Sequence, residues 1–457
     1  MTRKTFINDS LDLFNSTLEK SNGNRRSAYP DAWRQSTTGK PLRKDRELGE
    51  IIVGLDIGTN KIAVIVAEID EIEGMKIIGV GVSPSEGLRR GVVVNLDKTV
   101  QSIEKSVKEA ELMSGIEIES VYVGIAGDHI RSINSRGVVA VSGGNREISE
   151  DDVQRVIDAA KAVSLPIDRE IIHVIPQEFI VDDQSGIKNP VGFSGVRLEA
   201  EVHIVTGAVT SAQNIYRCVQ RTGLKARSLV LEPLASSFAV LGDDEKEIGI
   251  GLLDLGGGTT DIALIFEGSI RHTAVIGLGG KNVTNDIAQG LRTPIDRAEE
   301  IKLKYGCALS CKQMNGETIE VPGVGGRSST MVPKSVLTEI IQPRIEEILM
   351  LAKREIQRSE YADFLNAGIV LTGGGSMLES IGELAEQIFD TPVKLGIPQG
   401  FGGLVGLARS PIHATGIGLI HYGLTYKNED MQLDEGDESE NFQSILSWMK
   451  RLVKDLF

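Results

Sequence analysis

Leu253-Asp254-Leu255-Gly256-Gly257-Gly258-Thr259-Thr260-Asp261 closes an apolar run that begins at Gly249, and its reading decides the fold. An Asp at a strand end followed by glycines suits phosphate. Glycines let backbone N–H groups approach an anion, threonine hydroxyls add donors, and a carboxylate can hold magnesium through water. A plain hairpin turn uses the same residue types, since Asp and Gly both favour turns. A second copy argues against the plain turn: Val53-Gly54-Leu55-Asp56-Ile57-Gly58-Thr59-Asn60-Lys61 repeats strand, Asp, glycine turn and Thr, with a Lys added. Each copy continues into another apolar strand, Ile62 to Val66 and Ile262 to Phe266.

Two such hairpins some two hundred positions apart point to a duplicated αβ unit closing on one nucleotide from both sides. Ala367 to Ser376 supplies a third glycine turn, through Thr372-Gly373-Gly374-Gly375-Ser376, ahead of a helix-like segment from Leu378 to Phe389. Ile295 to Gly306 reads as a helix with Glu299 and Lys302 on one face. A solvated surface pair is the alternative for those two residues.

Composition agrees with a large protein that is cytosolic or attached to a membrane from inside. At 457 residues and 41% hydrophobic content the chain can bury more than one core, and its 51 glycines fit many tight turns. Cys218, Cys307 and Cys311 complete no metal set and are expected as free thiols. No run approaches the roughly 18 apolar residues of a spanning helix, and Met1 to Ser10 lacks the apolar core of a secretory signal. The net charge of −15 opposes binding to nucleic acid. That charge is uneven. Residues 21–50 carry Arg25, Arg26, Arg34, Lys40, Arg43, Lys44 and Arg46, whereas residues 428–440 are dominated by Asp and Glu; both tracts are expected to be disordered.

The two Asp hairpins, Glu232-Pro233-Leu234-Ala235-Ser236-Ser237, Gly279-Gly280, Glu299 with Lys302, and Thr372 to Gly375 occur in an order that resembles the actin, chaperone and sugar-kinase ATPase superfamily. Three further segments, His173 to Phe179, Gly186 to Gly192 and Val321 to Arg327, narrow the resemblance to the FtsA family of bacterial cell division. It covers about Ile51 to Tyr422 and resumes at the C-terminus. The fold it implies is α/β: two actin-like lobes with duplicated ribonuclease-H-like cores and an α/β subdomain inserted in the first lobe. The expected organisation is an extension over 1–48, a first lobe over 49–90 and 169–231 closed by part of 395–426, and an inserted interaction subdomain over 91–168. A second lobe over 232–426, an acidic linker over 427–440 and a helix over 441–457 complete it.

The resemblance implies ATP and magnesium as ligands. Asp56 and Asp254 would hold the metal through water. Gly58, Thr59, Asn60, Lys61, Gly256, Gly257, Gly258, Thr259 and Thr260 would meet phosphate; Gly279, Gly280, Glu299, Lys302, Gly373, Gly374, Gly375 and Ser376 would frame the rest of the nucleotide. Glu232 and Asp254 are the candidates to orient attacking water. On the bland alternative Asp254 is a metal ligand alone and Glu232 caps a helix. In residues 441–457, Phe442, Ile445, Leu446, Trp448, Met449, Leu452, Val453, Leu456 and Phe457 recur at helical spacing with Lys450, Arg451 and Lys454 mainly between them. That is the pattern of a helix lying in a membrane interface; a helix docked on the protein's own core is the commoner fate of such a stripe.

The function so implied is anchoring the division protein FtsZ to the cytoplasmic face of the cell membrane at the septum, self-polymerisation, and recruitment of later division proteins. A metabolic kinase or a chaperone-like ATPase of the same fold is the alternative. The first would need an acceptor pocket with a base, the second a substrate-binding β domain, and fewer than forty residues follow Tyr422.

Overall fold

The computed structural model describes residues 49–430 apart from 71, 73, 143 and 311–315. The extension expected over 1–48 and the helix expected over 441–457 lie outside the described residues, as does Cys311. Cys218 and Cys307 are buried free thiols.

Apolar alternation with glycine turns builds the first sheet. β1 (Glu50–Ile57), β2 (Lys61–Asp70) and β3 (Gly74–Pro84) form an antiparallel meander, followed by the short pair β4 (Leu88–Arg89) and β5 (Val92–Val93). Helix α1 (Leu96–Ser114), capped at Asn95, packs on β3 and returns the chain to β6 (Ser120–Ile125), which lies parallel to β1. The order is β11-β6-β1-β2-β3-β19, where β11 is Lys225–Leu231 and β19 is Gly402–Gly403.

The second lobe repeats this pattern. β12 (Ile250–Leu255), β13 (Thr260–Phe266) and β14 (Ser269–Ile276) make the antiparallel meander; β17 (Ile369–Thr372) and β18 (Val393–Leu395) continue it in parallel, in the order β14-β13-β12-β17-β18. The shared arrangement is three antiparallel strands, then two parallel ones beyond the first. A core of Leu253, Leu264, Ile287, Leu349 and Leu371 joins this sheet to α6 (Gly280–Gly290), α7 (Ile295–Tyr305), α8 (Lys334–Arg358) and α9 (Ile381–Phe389). A separate hairpin, β15 (Thr318–Val321) with β16 (Thr330–Pro333), precedes α8.

A third sheet stands between these halves of the chain. β7 (Arg131–Ala140), β8 (Arg169–Val181), β9 (Gln184–Ile187) and β10 (Arg197–Ala208) pair in the order β7-β10-β8-β9, covered by α2 (Glu150–Lys161) over a core of Ile148, Val156, Phe179, Leu198 and Ile204. This corrects the subdomain expected over 91–168. α1 and β6 belong to the first lobe, because β6 is hydrogen-bonded to β1 and β11; β8 and β10, expected back in the first lobe, pair with β7 instead. The insert therefore leaves after β6 and returns at α3 (Val209–Arg221). It also rests on the outer edge of the second sheet: the Ser132 and Asn134 side chains donate to the Thr273 and Arg271 carbonyls, the Gln177 amide donates to Ile270 and Arg271, and the His203 ring lies between Asn134 and Thr273.

The chain crosses between lobes twice, at α4 (Glu232–Val240), which the short helix α5 (Asp243–Ile248) follows, and at α11 (Ala414–Asp430), which the short helix α10 (Val405–Ala408) precedes. The acidic linker was expected from 427, yet α11 runs on to Asp430. α4 and α11 pack face to face because Gly418 presents no side chain: a Cβ there would lie 1.8 Å from the Ala235 carbonyl oxygen. Gly418→Ala must push the helices apart, so urea unfolding should show a loss on the order of 2 kcal/mol. An unchanged midpoint would mean that the two helices are not held at this spacing.

Candidate functional site

The site is built where β1 and β12, the matching strands of the two sheets, run out toward each other. Asp56 is the second-last residue of β1 and Asp254 the second-last of β12. Their turns touch: a Cβ on Gly257 would sit 2.5 Å from Asn60 Cγ, and one on Gly258 would sit 2.6 Å from Thr59 Oγ1. The Gly256 and Gly257 carbonyls accept from the N–H groups of Gly280 and Lys281 at the start of α6, at 2.9 and 2.8 Å. Because a trans peptide sets C=O and the following N–H on opposite sides, the N–H groups of Gly257 and Gly258 point away from α6. Two successive donors thus share one face of the turn, the arrangement that cradles an anion.

Four carboxylates converge beneath these turns. Asp56 accepts from Lys61 Nζ at 2.7 Å. Asp254 accepts from Ser236 Oγ at 2.8 Å and Thr415 Oγ1 at 3.4 Å. Burial pushes its carboxyl up to about 6, the Ser236 hydrogen bond opposing and the charge of Asp56 adding to the rise. Asp261, opposite Asp254 across the β12–β13 pair, goes up to about 7 through burial and then the charge of Asp254; Thr259 Oγ1 donates to it at 2.9 Å. Its Oδ1 is buried with no hydrogen-bond partner. Glu232, partly open to the cleft and lying on Gly124, is raised well above the usual range by burial and then by Asp56, Asp261 and Asp254, with Lys61 opposing. It does not cap α4, since no side chain caps that helix and Glu232 is already its first residue.

The remaining expected residues fall into two groups. Thr59 Oγ1 accepts from the Gly91 N–H at 3.1 Å, and Thr260, fully buried, donates to the Leu278 carbonyl at 3.0 Å, so its hydroxyl serves the sheet. The Glu299–Lys302 pair on α7 is not a solvated surface pair: Lys302 Nζ donates to Glu299 at 2.8 Å, Thr284 Oγ1 at 3.0 Å and the Gly280 carbonyl at 3.2 Å. Gly373 (φ 78°) leaves room for Asp254, because a Cβ there would lie 2.2 Å from Asp254 Oδ1. Gly374 to Met377 turn as a short 3₁₀ helix with Ser376 Oγ donating to the Gly373 carbonyl at 2.7 Å. The end of α7 meets that turn, through the bridge of Cys307 to Glu379.

Sequence reasoning passed over four contributors. Asp261 stood in the opening motif without a role, and Ser236 in the α4 motif. Thr415 carries no local signal, and Lys281 directly follows the Gly279-Gly280 pair. Lys281 Nζ donates across the cleft to the Thr59 carbonyl at 2.7 Å. His413, beside Thr415, is buried with Nδ1 unpartnered and is pushed down to about 3 by burial and then by Lys61. Among the described residues no group of three or more His, Cys, Asp or Glu side chains is arranged to hold a metal ion directly.

Residues 251–418 match the family model for cell division protein FtsA, and residues 127–206 match the one described as the SHS2 domain inserted in FtsA, in agreement with the β7-β10-β8-β9 sheet. The chain is 48% identical to cell division protein FtsA of Pseudomonas aeruginosa over 413 residues, 90% of this chain and 99% of that one. Identity to the FtsA of Escherichia coli K12 is 41% over 410 residues, covering 88% and 96%, and to that of Bacillus subtilis 168 it is 40% over 373 residues, covering 82% and 83%. In structure the chain is similar to a chain of the PilM–PilN type IV pilus biogenesis complex (TM-score 0.59, 16% identity, 82% of this chain and 98% of that one). It is also similar to MreB 5 of Spiroplasma citri bound to AMPPNP (TM-score 0.52, 14% identity, 84% and 99%). Those two likenesses concern the fold alone: two actin-like lobes around a cleft, here with an insert in the first. With nearly half of its residues identical to a relative matched along almost its whole length, the chain belongs to the FtsA family of cell-division proteins.

Proposed function

We propose that this cell-division protein binds magnesium-ATP between its lobes and uses it to organise division at the cytoplasmic face of the membrane, anchoring FtsZ at the septum, polymerising, and recruiting later division proteins. The observation that carries the nucleotide reading is the meeting of the turns 58–60 and 256–258 above Asp56, Glu232, Asp254 and Asp261. Like charges so close and so buried are costly to the empty fold, and a cation is what would relieve them. The unpartnered Asp261 Oδ1 among these carboxylates fits a nearby cation, which Asp56 and Asp254 would hold through water. Magnesium, when bound, neutralises phosphate oxygens. The Gly257 and Gly258 N–H groups then take phosphate, Lys61 adds a charge, and Glu299, Lys302 and Gly374 to Ser376 frame the nucleoside. Glu232, which lies against Gly124, is the proposed residue to orient an attacking water. MreB 5 supports the same reading, since that relative in fold was solved with AMPPNP.

The division role rests on family membership and on the C-terminal pattern of residues 442–457. No described helix is long and apolar enough to cross a membrane. The insert carries no phosphate turn, and protein contact is the role proposed for it.

Three outcomes test this reading. Asp254→Ala should weaken magnesium-ATP binding by roughly 10–100-fold in a fluorescent-ATP titration; unchanged affinity removes Asp254 from the site. Asp261 binds its proton more tightly folded than unfolded, so its contribution to stability falls as pH rises from about 4 through about 7. Asp261→Asn should therefore raise the melting temperature of the empty protein at pH 8 by about 2–4 °C, with the gain gone near pH 4. Equal melting at both pH values would show that the carboxylates do not strain the fold. Trp448→Glu should abolish flotation with anionic liposomes while ATP binding persists; if the variant floats like the parent, the membrane assignment fails.

A further inference from the structure

We propose that Lys281 is a second phosphate-binding cation, supplied by the second lobe, which exchanges the Thr59 carbonyl for a polyphosphate oxygen when the cleft fills. This rests on the nucleotide reading above. Lys281 is the second residue of α6, and its own N–H is bonded to the Gly257 carbonyl at 2.8 Å, so its backbone is fixed to the glycine turn. Its side chain spans the cleft to the opposite turn, reaching Thr59 at 2.7 Å. The helix start itself has little left to offer an anion. The Gly280 and Lys281 N–H groups are spent on Gly256 and Gly257, that of Gly279 on Asn282 Oδ1, and that of Asn282 on the Gly279 carbonyl. What α6 can bring to a phosphate is therefore the Lys281 ammonium.

The neighbouring cations are held elsewhere. Lys61 is paired with Asp56, and Lys302 divides its three donors among Glu299, Thr284 and Gly280. Lys281 instead donates to a neutral carbonyl. An ammonium has three donors, and an ionised phosphate oxygen is a stronger acceptor than a peptide carbonyl. A polyphosphate lying between turns 58–60 and 256–258 would place such an oxygen within reach of this side chain. Lys281 then adds a cation of the second lobe to the ligand.

The test compares the full-length parent with Lys281→Met, Lys281→Gln and Lys281→Arg by calorimetric titration of magnesium-ATP and by melting of the nucleotide-free proteins. Loss of a charged hydrogen bond should weaken binding by roughly 10–100-fold in the Met and Gln variants, with Arg restoring most of it. If Met and Gln bind like the parent while melting lower without nucleotide, Lys281 is only a clasp between turns and the proposal is overturned. A parent that binds no magnesium-ATP is a different failure. It overturns the nucleotide reading and, with it, the role given to Lys281.

Discussion

The mutual repulsion of buried carboxylates is the constraint around which this molecule is arranged. Two sheets of the same topology each carry an Asp one residue before the end of their first strand, and the lobes are set so that these ends oppose each other, with Glu232 and Asp261 added at the same place. Hydroxyls from Ser236, Thr259 and Thr415 and the ammonium of Lys61 offset part of the cost. They leave Asp254 and Asp261 well above the ordinary carboxylate range. Stability alone would favour replacing such a cluster by apolar side chains, and the proposed cation would offset its charge.

The cleft depends equally on missing side chains. The first turn lies against the Gly257 and Gly258 backbone, and the third turn can pass Asp254 because Gly373 has φ 78° and no Cβ. The same device operates away from the site, where Gly418 lets α11 lie on α4. Since α4 also carries Glu232 and Ser236, and α11 carries Thr415 in its first turn, the two crossings between lobes are tied to the carboxylates themselves. Spacing at the crossings and charge at the cleft are in mechanical contact.

The insert adds a third connection. It is continuous with the first lobe through β6 and α3, and its side chains satisfy carbonyls on the free edge of the second sheet, where an uncovered strand would invite pairing with another chain. His203 is buried in that contact and pushed down to about 3 by burial and then by His272, so its ring is neutral and bonds Asn134 and Thr273 as a dipole. The insert therefore touches both lobes.

What the sequence determined by itself was local: both Asp hairpins, the glycine turns, the starts of α4 and α6, and the Glu299–Lys302 face of α7. Each depends on residues within about one turn or one hairpin of one another, where backbone preference and spacing decide the outcome. The tertiary structure decided which sheet each strand joined. Alternation in β6, β8 and β10 marks them as strands but not as partners of β1 or β7, so the expectation from sequence starts the insert one helix and one strand too early. It also decided the rest of the site. Thr415 reaches Asp254 from 161 positions away, and Lys281, although it follows Gly279-Gly280, reaches Thr59 from 222. Such partners are chosen by the meeting of two lobes, a contact made only after each sheet has formed.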